Sequence, residues 1–114
     1  MNKNSKIYLA GHRGLVGSAI LKKLQEKGYT NIVVRTHAEL DLTRQADVED
    51  FFRDEKPEIV ILAAAKVGGI GANSQYPADF IYENLAIALN VIESARKYNV
   101  EKLINLLQVG NVGE

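Results

Sequence analysis

Seven residues, Gly-His-Arg-Gly-Leu-Val-Gly at positions 11–17, constrain this chain most, because they stand between two segments of different periodicity. Residues 6–10, Lys-Ile-Tyr-Leu-Ala, form a short β-prone run. Beyond the glycines, Leu15, Val16, Ala19, Ile20 and Leu24 recur at helical spacing, and Gly28 stops the pattern. A strand, a glycine turn and a helix therefore follow in order. Glycine at 11 permits a tight turn, at 14 it lets backbone approach a bound anion, and at 17 it lets helix and strand pack closely. The helix start adds free N–H groups and a partial positive charge. Two readings of the triplet stand: a cradle for the pyrophosphate of a dinucleotide, or a tight turn that glycine alone explains.

The rest of the chain repeats the alternation. Residues 31–35 (Asn-Ile-Val-Val-Arg) read as a second strand, and residues 39–42 (Glu-Leu-Asp-Leu) as a very short third one. Thr43 is placed to cap a helix carrying Val48, Phe51 and Phe52, which Pro57 closes. Residues 58–62 (Glu-Ile-Val-Ile-Leu) lack polar alternation, as a strand covered on both faces should. After a second glycine-rich loop at 66–76, a long helix is expected from about Pro77 to Tyr98, with Ile81, Leu85, Ala88, Ile92 and Ala95 on one face. A last strand follows at 102–107. Strands alternating with helices imply an α/β fold with a parallel sheet, whose sites lie beyond the carboxyl ends of the strands. The chemistry is thus expected in the loops after Ala10, Arg35, Leu62 and Leu107.

At the end of the second strand, where an acidic residue would grip the adenosine ribose of NAD, this chain has Arg35. With Arg13 inside the glycine turn, it favours a 2′-phosphate and so NADP. The competing reading pairs Arg35 with Glu39 as a solvated strand-end charge. Asp41 could accept the adenine amino group with Leu42 against the ring, or serve as a cap before the next helix. Ala63, Ala64 and Ala65 either leave room for a cofactor or simply pack tightly.

Composition excludes several other functions. The 114 residues are 46% hydrophobic and 25% charged, enough for one small domain. Fourteen basic and fourteen acidic residues leave no net charge and no basic block, so nucleic acid is not an expected partner. Absence of Cys removes thiolate chemistry, and two isolated His do not make a metal centre. The longest apolar run, residues 59–65, is far below the ~18 residues of a membrane span, and the N-terminus lacks a signal-peptide core. A cytoplasmic protein with no membrane partner is expected.

Three segments carry a resemblance: residues 11–18 (Gly-His-Arg-Gly-Leu-Val-Gly-Ser), 63–70 (Ala-Ala-Ala-Lys-Val-Gly-Gly-Ile) and 76–82 (Tyr-Pro-Ala-Asp-Phe-Ile-Tyr). Together they resemble the GDP-L-fucose synthase family, NADP-dependent epimerase-reductases among the extended short-chain dehydrogenases, over about residues 5–106. The resemblance implies a Rossmann-type doubly wound parallel sheet, here truncated to about five strands. Residues 1–114 would form a single NADP-binding domain, with the C-terminal substrate domain missing. It implies NADPH, a nucleotide-sugar substrate (GDP-4-keto-6-deoxy-mannose, epimerised and reduced to GDP-L-fucose) and a homodimer through the helix at 77–98. It assigns Gly11, Gly14 and Gly17, with the helix start at Leu15 and Val16, to the pyrophosphate. Arg13 and Arg35 go to the 2′-phosphate, Asp41 and Leu42 to the adenine side, and Ala63, Ala64, Ala65 and Lys66 to the nicotinamide half.

The resemblance then stops. The family continues with a Gly-Ser-Ser-Cys-type segment and a Tyr-x-x-x-Lys helix, whereas this chain reads Leu-Gln-Val-Gly-Asn-Val-Gly-Glu at 107–114. The catalytic serine, tyrosine and lysine, and the epimerisation cysteine and histidine, have no counterparts. Tyr98 and Lys102 satisfy Tyr-x-x-x-Lys only across a helix end and a strand start, where they share no helical face, and His12 and His37 belong to the phosphate end. The chain alone is expected to lack turnover. The alternative is a non-catalytic nucleotide-binding or interaction module derived from that family.

Overall fold

The computed structural model describes residues 1–64 and 77–106. Along them run β1 (Ile7–Ala10), α1 (Leu15–Glu26), β2 (Ile32–Val33), α2 (Gln45–Glu55), β3 (Ile59–Leu62), α3 (Pro77–Lys97) and β4 (Lys102–Asn105). The strands form one parallel sheet in the order β2-β1-β3-β4. Ile7 pairs with Ile32 on one side and Ile59 on the other, and Ile59 in turn pairs with Lys102. β1 and β3 are central and buried at every residue, which explains why Ile-Tyr-Leu-Ala and Ile-Val-Ile-Leu are apolar throughout.

Strand side chains alternate between two cores. Ile7, Leu9, Ile59 and Ile61 meet Leu24, Ile20 and Leu21 of α1. Tyr8, Ala10, Val60 and Leu62 meet Val48, Phe51 and Phe52 of α2 and Ile87, Val91 and Ala95 of α3 on the opposite face. The loop leaving β1 leads to a helix on one face and the loop leaving β3 to a helix on the other. The carboxyl ends of β1 and β3 stay adjacent, and a crevice opens beyond them, lined by Gly11 and Ala63. The last rung below it is the Ala63 N–H donating to Ala10 O at 2.9 Å.

Several expectations change. Residues 39–42 are not a strand: Thr36 O accepts the N–H groups of both Glu39 and Leu40, which curls the chain, and Leu40 and Leu42 bury in the core. The sheet accordingly has four strands among the described residues rather than about five. Within 31–35 only Ile32 and Val33 pair, and the last strand ends at Asn105. Thr43 does not cap α2; the N-cap is Arg44 without a side-chain bond, and the Thr43 hydroxyl donates to Asp41 Oδ1 at 2.7 Å. α2 does end before Pro57, on Lys56 in a left-handed conformation.

The apolar stripe of α1 begins later than its spacing suggests. Leu15 is 90% and Val16 55% exposed and Ala19 is exposed too; the inward side is Gly17, Ile20, Leu21 and Leu24. On α3 the inward side is Asn84, Ile87, Val91, Ser94 and Ala95. Leu85 and Ile92 point outward, with Tyr82 and Leu89 beside them at 75% and 68% exposure. The helix is apolar on more than one side, so periodicity alone could not choose its phase.

Candidate cofactor site

A cavity of about 570 Å³ occupies the crevice. Gly11, Arg13, Gly14, Leu15 and Val16 form one wall, Arg35, Asp41 and Leu42 another, and Ala63 and Ala64 the base beside β3. Ten of the thirteen residues singled out in the sequence thus meet around one space. Gly17 lies behind the wall, and Ala65 and Lys66 fall outside the described residues, as do the glycines at 68, 69 and 71.

The three glycines differ in what demands them. Gly11 has φ +88, and a Cβ there would come within 2.6 Å of Ala64 N. A Cβ on Gly17 would sit 1.8 Å from Gly11 O, so the first turn of α1 can seat only on bare backbone. Gly14 is different: its φ is −76 and a Cβ would meet only Gly11 O, at an ordinary 3.5 Å. Nothing among the described residues asks for glycine at 14, which lines the cavity.

Gly14 is the N-cap of α1 and supplies no side-chain hydrogen bond, and no acidic residue stands in the first turn. Among the described residues, no side chain compensates the first N–H groups of the helix and its positive end beside the cavity. Leu15 and Val16 overhang the same space, which accounts for their exposure. Among the described residues, His12 Nδ1 is a buried side-chain nitrogen with no hydrogen-bond partner, in the same wall.

The two arginines are held differently. Arg13 is exposed and makes no ion pair among the described residues. Arg35 does not pair with Glu39. Its NH1 donates to Val34 O at 2.8 Å, its NH2 to Glu55 Oε2 at 3.1 Å, and its guanidinium lies 5.2 Å from the Phe51 ring centroid. Glu39 Oε1 instead accepts the Thr36 N–H at 2.8 Å, and that bond is the main cause holding its carboxyl below the usual range. Asp41 Oδ1 accepts both the N–H and the hydroxyl of Thr43. From α3, Asn90 Nδ2 donates to Leu42 O at 2.9 Å, locking the segment that carries Asp41 and Leu42.

Sequence reading did not single out Tyr8, Thr36, Leu40 or Ile87 for this cavity, and placed His12 and His37 near it only in passing. Burial raises the Tyr8 phenol well above its ordinary pKa, against a smaller opposing pull from Arg35. Ile87 had no local signal, since only tertiary packing brings α3 over the crevice. Tyr98 lies beyond the end of α3 and Lys102 opens β4, so they share no helical face.

A crevice at the switch point of a parallel sheet, entered by a glycine turn and an uncapped helix, defines a Rossmann-type nucleotide-binding fold. Residues 7–112 match the model of the NAD dependent epimerase/dehydratase family, and the chain belongs to that family. It is 69% identical over 105 residues to GDP-L-fucose synthase 1 of Arabidopsis thaliana, covering 92% of this chain and 32% of that protein. It is 50% identical over 101 residues to GDP-L-fucose synthase of Escherichia coli, covering 89% and 32%. The solved GDP-mannoheptose C4 reductase of Campylobacter jejuni, with NADP bound, superposes with a TM-score of 0.87 at 48% identity, over 92% of this chain and 33% of that one. The chain thus spans about a third of the length of the curated relatives it matches. No helix among the described residues is long and apolar enough to cross a membrane.

Proposed function

We propose that this chain is the NADP-binding part of a GDP-L-fucose synthase-like enzyme. One observation carries the reading: Gly14, which no contact among the described residues requires, faces a cavity that also gathers Arg13 and Arg35. Gly11 and Gly14, with the N–H groups of Leu15 and Val16, receive the pyrophosphate, and Gly17 seats the helix that presents them. Arg13 and Arg35 hold the 2′-phosphate through planar forks of donors. Asp41 and Leu42 would serve the adenine side, and Ala63, Ala64, Ala65 and Lys66 the nicotinamide side. NADP-bound and GDP-sugar relatives support this cofactor and substrate class. When bound, the nicotinamide supplies a hydride.

As part of a longer enzyme of that kind, the chain would serve the epimerisation and reduction of GDP-4-keto-6-deoxy-mannose. These residues alone are not expected to do so, because among the described residues the cavity lining holds no tyrosine–lysine pair to protonate a ketone oxygen. Calorimetric titration tests the cofactor: saturable NADP binding, tighter than NAD, is expected. Arg35→Ala should weaken NADP about 10- to 100-fold, the range of a lost charge-assisted contact, with NAD nearly unchanged. Equal binding of both nucleotides by the unaltered chain would refute the reading.

A homodimer through α3 belongs to the same proposal. Tyr82, Leu85, Leu89 and Ile92 form an exposed stripe at spacings of three and four residues, suited to a matching helix of a second copy. Light scattering should find a dimer that Leu89→Lys converts to monomer. A monomer before the substitution would exclude this contact.

A further inference from the structure

Glu55, the last residue of α2, stands outside the cavity lining and carries no assigned role. Its two oxygens are nonetheless both engaged, each by a different cation. Oε2 accepts from Arg35 NH2 at 3.1 Å, and Oε1 lies 2.9 Å from Lys6 Nζ, one residue before β1. All three side chains are about one-third exposed or less, so the cluster sits at the rim of the core, not in open solvent. The guanidinium is thereby fixed at three points: Val34 O, Glu55 Oε2 and the face of Phe51.

A guanidinium has five N–H donors. These contacts use two, so three remain for an incoming oxyanion. The charge balance matters as much as the count. A carboxylate paired with Arg35 alone would neutralise the charge that attracts a phosphate. Here Lys6 offsets Glu55, and the three groups together keep one positive charge at Arg35. Holding a long side chain in one rotamer beforehand also removes an ordering cost that binding would otherwise carry.

We propose that Glu55 is a positioning residue that sets the preference for a 2′-phosphorylated nucleotide by orienting Arg35, and that Lys6 keeps it from cancelling the arginine's charge. The proposal rests on the NADP reading above. Its signature is selectivity, because the free 2′-hydroxyl of NAD makes no demand on a fixed guanidinium.

The experiment titrates NADP and NAD into the unaltered chain, Arg35→Ala, Glu55→Ala, Glu55→Gln and Lys6→Met, with thermal melts as a check on folding. Glu55→Ala should lower the NADP-to-NAD affinity ratio about tenfold, through NADP alone. Glu55→Gln keeps an acceptor for Arg35 NH2 and should restore most of the ratio. Lys6→Met should lower it by leaving Glu55 unopposed. A ratio in Glu55→Ala that stays within twofold of the unaltered chain, or rises, overturns the proposal. If that occurs while Arg35→Ala still loses selectivity, the NADP reading survives and only the positioning role falls. An unaltered chain with no preference overturns both.

Discussion

Gly17→Ala is expected to abolish the native fold, and cofactor binding with it. The added carbon would lie 1.8 Å from Gly11 O and 2.6 Å from Gly11 C, and both obstacles are backbone, so no side-chain rotation relieves the clash. Either α1 lifts from the sheet, exposing the core that Leu24 and Ile20 share with Leu9 and Ile61, or the turn after β1 unwinds. Either route costs about 3 kcal/mol or more, a large share of the total stability of a domain this small. Urea unfolding measures it. Gly14→Ala is the matched control, since its Cβ makes only an ordinary 3.5 Å contact and its backbone angle suits any residue. Its unfolding midpoint should hold while nucleotide binding falls steeply, because the methyl group occupies the space the ligand needs. Loss of both stability and binding in Gly14→Ala would mean that the cavity wall has been misread.

Phe52→Ala carries the second large effect. Phe52 is fully buried and packs edge-on to Tyr8 at 6.0 Å between centroids and to Phe51 at 5.7 Å, while Tyr8 and Phe51 lie 4.5 Å apart. Removing one ring of the three leaves a cavity and breaks two aromatic contacts, for a loss of about 3–5 kcal/mol. The consequence reaches the site. Phe51 lies under the Arg35 guanidinium and Glu55 grips it, and both ride on α2. Thermal melting and NADP titration of one sample should therefore fall together. A melting temperature within ~4 °C of the unaltered chain, the shift that 1 kcal/mol produces at this size, would exclude the aromatic cluster as the anchor of α2.

What could be read along the chain was whatever depends on near neighbours. The two central strands, the glycine turn and the three helices follow from local period and punctuation, since apolar runs, glycines and prolines act within a few residues. Ten of the residues around the cavity were legible for the same reason, because in an alternating chain they fall in or beside the loops after strands, whereas Tyr8 in β1 and Ile87 in α3 were not. The failures came where a choice depended on distant partners. Leu15 and Val16 fit the α1 stripe by spacing, yet the sheet meets that helix only from Gly17 onward. Residues 39–42 have strand composition, but Leu40 and Leu42 bury in the core with α2 and α3, which holds the turn in which Thr36 O accepts the N–H groups of Glu39 and Leu40.

Arg35 shows the same division. Its place at the end of the second strand, across from Arg13 in the glycine turn, is written in the sequence. Which carboxylate would hold it was not: Glu39, four residues away, was the local candidate, and Glu55, twenty residues away, is the partner. By itself, the sequence determined the alternating α/β class, the turn that shapes the crevice and the residue types around it, because these rest on backbone geometry and short-range periodicity. Tertiary structure alone decided the phase of α3, the turn at 36–40 and the pairing of Arg35 with Glu55. Each of these is a competition among acceptors or faces of similar local merit, and only packing against residues far along the chain separates them.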